Sequence, residues 1–493
     1  RTVGEPHPEY RGRILWRQGI SDMSNGFTFL GQAAGISDRN YIEQFFKPEW
    51  DNGINQDTWA YLRQTDQNMG WYVMGEVRTR PWINETNWLP RLDGFILGQP
   101  LFDIFTSSTW GGAAYANLLI TNDGTPVVSP LTDVENSTGR FNVSEELSAP
   151  FNLGGLKIAP YIKGDLALYT NDLSGDTLGR AWGGGGIRAS LPFTAAYPEF
   201  KSELFNVNGI NHKVVNSINY FNASSSAQYS NFAQLDRLND DASDQALRDI
   251  RNQPTIYPNA FNSNLLTTNN PYFDPQIYAI RRNIDTRIDT LNQIQVIQGD
   301  IRQRLQTKRG FPGSQHIVDW MVLDLSGSFF PEKNQNNFGN YLAFLQYDYL
   351  WNIGDRTSFT STGWVDPMDN GAKVFTLGGY LNRSDRTNFY LGYRSIEPVE
   401  SKALTGAATY IFSPKYAVTG SSTYDFATFQ SVSNSLVLTR VGTDLQVSLG
   451  FTYNAMQDNF GFTFEILPTI ASGGGRYVGP SSNFSNNGSV LAR

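Results

Sequence analysis

Residues 445–466 read "LQVSLGFTYNAMQDNFGFTFEI", two alternating segments joined by a turn. Leu445, Val447, Leu449, Phe451 and Tyr453 alternate with Gln446, Ser448, Gly450, Thr452 and Asn454. After Met456-Gln457-Asp458-Asn459 the alternation resumes with Phe460, Phe462, Phe464 and Ile466. Successive side chains of a strand point to opposite faces, so each segment has one apolar face and one small polar face.

The same texture spreads outward. Residues 341–467 divide into nine strands: 341–351, 356–365, 373–381, 387–396, 402–412, 416–426, 432–440, 444–454 and 459–467. Short turn-forming links such as "NRSDR", "SPK" and "VGT" separate them, which predicts an antiparallel meander. Nearer the N-terminus, 10–18, 26–35, 56–65, 69–78, 113–121, 157–169 and 181–192 have strand character, with a Trp- and Pro-rich interruption at 81–94. Residues 206–300 are polar, Asn-rich and broken by Pro. Helical spacing of Phe232, Leu235, Leu238, Ala242, Ala246 and Ile250, and of Ile277, Ile280, Ile284, Ile288 and Leu291, predicts two short helices there. This segment is expected to be a long loop or lumen insert, and the Gly/Ser/Asn-rich tail 468–493 to be disordered.

Composition excludes several classes. The 46 acidic residues outnumber the 38 basic ones, a net charge of −8 that is unsuited to nucleic acid as main partner. With no cysteine, thiol catalysis and zinc ribbons are excluded. His7, His212 and His316 share no metal-ligand spacing. "GRAWGGGGIRAS", residues 179–190, lacks the ending of a phosphate loop and is expected to be a strand of low bulk. Asp240-Asp241 is expected to be solvated in the polar insert. The chain is expected to use no cofactor and to be no enzyme.

A soluble sandwich would place charged residues on its outer faces, whereas a membrane barrel turns its apolar face to lipid and lines its lumen with small polar residues. The Gln, Ser, Gly, Thr and Asn face fits the barrel. At roughly 19 residues per strand and connection, the chain would supply about 26 antiparallel strands, near the upper end of bacterial barrels. The fold class is therefore all-β, a large transmembrane barrel over 10–467 in the bacterial outer membrane.

Longer stretches carry a resemblance. "YRGRILWRQ" from Tyr10, "GISDRNYIEQFFKPEWD" from Gly35, "TWAYLRQTDQNMGWYV" from Thr58 and "TNWLPRLDGFILGQPLFD" from Thr86 occur in that order. "GIRASLPF", "LFNVNGINHKVV", "RQRLQTKRGFPG", "FYLGYRSI" and "ATYIFSPKYAVTGSSTYDF" follow. The series resembles LptD (OstA/Imp), the outer-membrane lipopolysaccharide assembly family, in its divergent planctomycete-type members. The likeness spans about 10–467; its single motifs are unspecific and its order carries it. It implies a translocon that inserts lipopolysaccharide into the outer leaflet through a lateral gate between first and last strands. It also implies an LptE-like plug lipoprotein and a periplasmic Lpt bridge as partners, besides outer-membrane lipid. Residues 1–9 would be the linker from the family's periplasmic domain. Many members carry paired cysteines near the strand matched by "RVGTDLQVSLGF", and this chain has none. The alternative function is a large passive channel or solute receptor in the same membrane.

If the likeness holds, 10–18 pairs with 459–467, and Ile14, Trp16, Phe460, Phe462 and Phe464 mark the gate strands. Pro6 and Pro8, which cannot donate to a ladder, would shorten the seam on one side. Arg11, Arg13 and Arg17 alternate with Ile14 and Trp16, and Arg302 and Arg304 lie opposite Ile301 and Leu305. These five arginines are the candidate phosphate-guiding track of the lumen, since a guanidinium offers a planar fork of donors. The competing reading is that lumen carboxylates neutralise them.

Overall fold

A computed structural model describes residues 8–46, 49–50, 52–121, 134–242, 244, 287–337, 339–368, 371–384, 386–397, 401–427, 429–455 and 458–468. Most of this is one sheet of 22 strands. The first eight are β1 (Arg13–Met23), β2 (Phe27–Ile36), β3 (Thr58–Asp66), β4 (Met69–Val77), β5 (Glu85–Leu101), β6 (Phe105–Leu119), β7 (Asn136–Ser148) and β8 (Phe151–Leu153). Then come β9 (Leu156–Tyr169), β10 (Leu178–Ser202), β11 (Val207–Ser225), β12 (Ile294–Arg309) and β13 (His316–Phe329). The remaining strands are β14 (Leu345–Asn352), β15 (Thr357–Asp366), β16 (Gly371–Ser384), β17 (Thr387–Ile396), β18 (Ser401–Ser413), β19 (Tyr416–Asp425), β20 (Gln430–Val441), β21 (Leu445–Asn454) and β22 (Asn459–Pro468).

Each strand pairs antiparallel with its neighbour in sequence. The exception is β8, a three-residue stub that continues the line of β7 beside β9. The nine C-terminal strands lie where the alternation puts them. Among the described residues the strand count is 22, below the length estimate of about 26, because several N-terminal strands are long: β5, β10, β11 and β12 have 17, 25, 19 and 16 residues. The interruption expected at 81–94 is mostly strand: β5 begins at Glu85, and its register shifts between Trp88 and Arg91 around Leu89-Pro90. The polar insert is likewise shorter than 206–300, because β11 runs to Ser225 and β12 starts at Ile294. Residues 207–225 alternate Asn219, Phe221 and Ala223 with Ile218 and Tyr220, a strand pattern in polar dress.

Connections alternate in length. At one end of the sheet, turns such as 24–26, 67–68, 385–386 and 414–415 are short; at the other, 37–57, 78–84, 226–293 and 330–344 are long. In outer-membrane barrels short turns face the periplasm and longer loops the exterior.

The opening stretch shows where its two faces go. Phe460, Phe462 and Phe464 are 60%, 70% and 65% exposed, and no second sheet covers them. Gln446 and Ser448, on the other face of β21, are 2% and 4% exposed. Small hydroxyls on that inner face bond across neighbouring strands: Thr362–Thr376 at 2.9 Å, Thr405–Thr423 and Thr409–Thr419 at 3.0 Å, Ser421–Ser435 at 2.7 Å and Thr439–Ser448 at 3.1 Å. Such cross-strand hydroxyl pairs stabilise by a few tenths to about 1 kcal/mol each. An apolar exterior with a hydrogen-bonded polar interior is the inverse of a soluble sandwich and matches a bilayer.

The expected strand 10–18 begins at Arg13, and its other edge is bare. Among the described residues β1 pairs with β2 alone and β22 with β21 alone, so the expected ladder between 10–18 and 459–467 is not formed. Residues 1–7, which include Pro6 and His7, and the tail 469–493 lie outside the described residues.

Replacing Phe451, which faces outward on β21, by Arg should cost roughly 2–4 kcal/mol if it lies near the bilayer midplane. Urea unfolding from lipid vesicles measures this, and Thr452→Arg on the neighbouring inward position should cost clearly less.

Candidate functional site

The interior of the sheet is furnished unequally. Against β5, β6, β7, β9 and β10 lie two described pieces of the insert, 226–242 and 287–293, each adding apolar side chains. Phe232, Ala233, Leu235 and Ile288 pack with Trp88, Ala116, Leu118, Ala167 and Tyr169 in one buried cluster. A second cluster joins Leu291 to Tyr161, Trp182, Phe221, Ala223 and Ile294. The Trp182 indole N–H donates to the Asn292 carbonyl at 2.9 Å, tying the insert to β10. The glycine-rich run of β10 makes room here: a Cβ on Gly186 would sit 2.6 Å from the Tyr161 ring. The low-bulk strand expected for 179–190 is thus observed.

Around these clusters the charges pair. The Asp289 carboxylate accepts from Tyr169 Oη at 2.7 Å, from the backbone N–H groups of Leu235 and Asp236 at 2.9 Å, and from Arg140 at 3.0 Å. Arg140 also donates to Asp236 at 2.6 Å, and Arg91 reaches the same carboxylate at 2.9 Å. Both guanidinium groups lie over the Trp88 ring, at 4.9 and 4.7 Å. One strand further on, Arg180 meets Asp165 at 3.0 Å with both side chains fully enclosed. Burial alone would raise the Asp236 carboxyl, but Arg140 and Arg91 hold its pKa well below the ordinary carboxylate value.

Phe232 and Leu235 pack from non-helical backbone just after a 3-10 turn, because their partners are a strand face, and of the helix their spacing predicts the described part is the turn at 240–242 with Ala242. Ile288 likewise sits in a 3-10 turn. Ala246, Ile250, Ile277, Ile280 and Ile284 lie outside the described residues. Asp240-Asp241 is not in a solvated loop. Asp241 pairs with Arg80 and accepts the Gln56 backbone N–H at 2.8 Å, and burial raises its carboxyl despite that arginine.

The five candidate arginines are in two places. On β1 and just before it, Arg11 grips Asp38 with two bonds of 2.7 Å, and Arg13 grips Glu49 at 2.9 and 2.6 Å and Gln56 at 2.8 Å. Arg17 donates to Gln32 at 2.7 Å. The acids come from the long connection 37–57, which folds beneath β1. Burial opposes ionisation of Asp38 and Glu49, yet Arg11 and Arg13 keep both carboxyls below their usual range. Far along the sheet, Arg302 on β12 meets Asp324 at 2.8 and 2.7 Å. Arg304 approaches Asp319 only to 3.9 Å, and its Nε is buried without a partner. Ile14 and Trp16 point outward, exposed, as do Phe460, Phe462 and Phe464 on β22.

The buried acids and bases that clamp the insert were not singled out from sequence. The signal was present on β7, where Asn136, Thr138, Arg140, Asn142 and Ser144 alternate with outward Phe141 and Val143. Among the described residues, no group of three or more His, Asp or Glu is arranged to hold a metal ion.

This is an integral outer-membrane β-barrel protein. No protein-family model and no curated protein matches the chain. Solved structures with a similar sheet include a Rh. blastica porin mutant, 9% identical over 73% of this chain and 96% of the porin, at a TM-score of 0.26. The copper transporter OprC is 11% identical over 93% of this chain and 78% of its own, at 0.36. The chain matched in a FpvAI–pyocin S2 complex is 11% identical over 84% of this chain and 61% of its own, at 0.25. The assignment to the outer membrane rests on the strand faces themselves.

Removing one partner of a buried ion pair strands the other, which typically costs about 3–5 kcal/mol. Asp236→Ala should therefore loosen the insert, read as faster protease cleavage within 226–242 and 287–293 while the strands stay resistant. A carboxyl whose folded pKa is lowered stabilises above its unfolded value, ordinarily 3.8, and that contribution is lost as pH falls through the folded value. The insert should remain protected at pH 5 and open only in stronger acid.

Proposed function

We propose that the protein is an outer-membrane translocon that carries lipopolysaccharide across its polar interior and releases it sideways between β1 and β22. The observation that supports this reading is the pair of bare edges, each with an apolar outer face: Ile14 and Trp16 on one, Phe460, Phe462 and Phe464 on the other. A lipid whose sugars travel inside and whose acyl chains enter the bilayer needs a seam with few hydrogen bonds between two apolar flanks. The hydroxyl-lined wall of β15–β21 supplies weak, repeated contacts suited to sugars. The ordered resemblance to LptD points the same way. Transport of this kind requires no bond-making chemistry. An LptE-like lipoprotein and a periplasmic bridge belong to the same reading.

Among the arginines paired with an acid, Arg304 is the better phosphate guide. Phosphate at Arg11, Arg13 or Arg302 must displace a carboxylate held by two bonds. Arg304 has an unpartnered Nε and a distant acid, so it can accept an anion without breaking a close pair.

The second reading is a large passive channel or solute receptor. It is favoured by the insert, which fills one side of the interior as a resident constriction.

A disulfide between β1 and β22 separates the two. It should stop delivery of lipopolysaccharide to the cell surface with the barrel still assembled, while leaving small-solute flux unchanged. Normal delivery with the crosslink complete would exclude lateral release. Reversing Arg304 to Glu should slow delivery more than reversing Arg11 and Arg13, whose loss should act first on assembly.

A further inference from the structure

The direction of the edge strands carries a consequence independent of cargo. With β8 continuing β7, the strands of this meander occupy an odd number of positions, and every ladder between neighbours is antiparallel. The first and last strands therefore run the same way. β1 starts at the long-loop end and reaches its short turn at Met23, and β22 starts at the long-loop turn after Asn454. The internal residues outside the described set do not alter this, because the strands on either side of each such segment pair directly.

We propose that β1 and β22 close the barrel as a parallel ladder, in the register that places Arg17 beside Glu465. Three features favour this. Ile14, Trp16 and Ile20 on β1 and Phe460, Phe462 and Phe464 on β22 face outward, while Arg13, Arg17, Thr463 and Glu465 face inward, so the two faces match without a twist. Arg17 has one side-chain hydrogen bond, to the neutral Gln32, and feels Glu49 only through space, while Glu465, also facing inward, makes no hydrogen bond or ion pair with the described residues. The same register sets Ile14 beside Phe462 and Trp16 beside Phe464, apolar against apolar toward lipid. A closed seam satisfies edge groups that bilayer lipid cannot. As the one parallel ladder among antiparallel ones, it is also the weakest per residue. Strand parity would then decide where the barrel is easiest to part.

Cysteine pairs test the geometry in the intact protein in outer membranes. Leu15→Cys and Gly19→Cys are each combined with Gly461→Cys, Thr463→Cys and Leu467→Cys, positions an even number of residues from Arg17 and Glu465 along their strands. In the proposed register Leu15→Cys crosslinks to Thr463→Cys and Gly19→Cys to Leu467→Cys, each roughly tenfold over other pairs, since a disulfide needs Cα atoms within about 4.4–6.8 Å. An antiparallel seam reverses the order, so that the partner of Gly19→Cys lies nearer the start of β22, and this overturns the proposal. Absence of every crosslink, with single-cysteine variants assembling normally, means that another strand intervenes and overturns it equally. A charge swap checks the register: Arg17→Glu should lower the temperature at which the folded barrel loses its compact gel mobility, and adding Glu465→Arg should restore it. Failure to restore removes the Arg17–Glu465 pairing.

Discussion

A bilayer offers no hydrogen bonds, so every peptide group that crosses it must find a partner in the protein. Most of this architecture follows from that constraint. It explains why alternate residues along twenty-odd segments are apolar, since each strand must show one face to lipid. It explains why the meander has no long-range crossovers, since neighbours in sequence can satisfy each other as they form. It also makes the edges of β1 and β22 the most consequential places in the molecule, because among the described residues each of these strands is paired on one side only.

The interior answers to a different constraint. Once the outer face is committed to lipid, charges can only go inward, where they must be neutralised. On the β5–β10 side this is done by the chain's own insert, with Asp236 and Asp289 bracketing Arg140 above Trp88. On the β14–β22 side few charges are present and hydroxyls bond to one another. A resident constriction therefore faces a polar wall, and the interior is asymmetric.

These two halves also differ in how openly they can be read. In 341–467 the period of two is unbroken and the links are short, so strand positions follow from side-chain alternation alone. Between 81 and 225 the strands carry Trp, Pro, Asn and glycine runs. There, β5, β7 and β11 take their conformation from ladder partners more than from their own composition. The long β10 and β11 hairpin consumes residues that a uniform strand length would have divided among more strands, which lowers the count.

By itself the sequence determined the all-β class, the outward placement of residues such as Phe462 and Leu449, the inward placement of Arg13 and Arg302, and the membrane that suits them. All of these depend on which neighbours a residue has along one strand, and that is written in order. Tertiary structure alone decided that Asp38 and Glu49 would meet Arg11 and Arg13, and that Phe232 and Leu235 would pack as extended chain against Trp88 and Tyr169. It also decided that Asp240-Asp241 would leave water for the lumen, and that the first and last strands would point the same way. Each of these joins residues far apart in the chain or counts every strand between them. Ladder register and parity are properties of the whole sheet, and no local pattern of side chains encodes them.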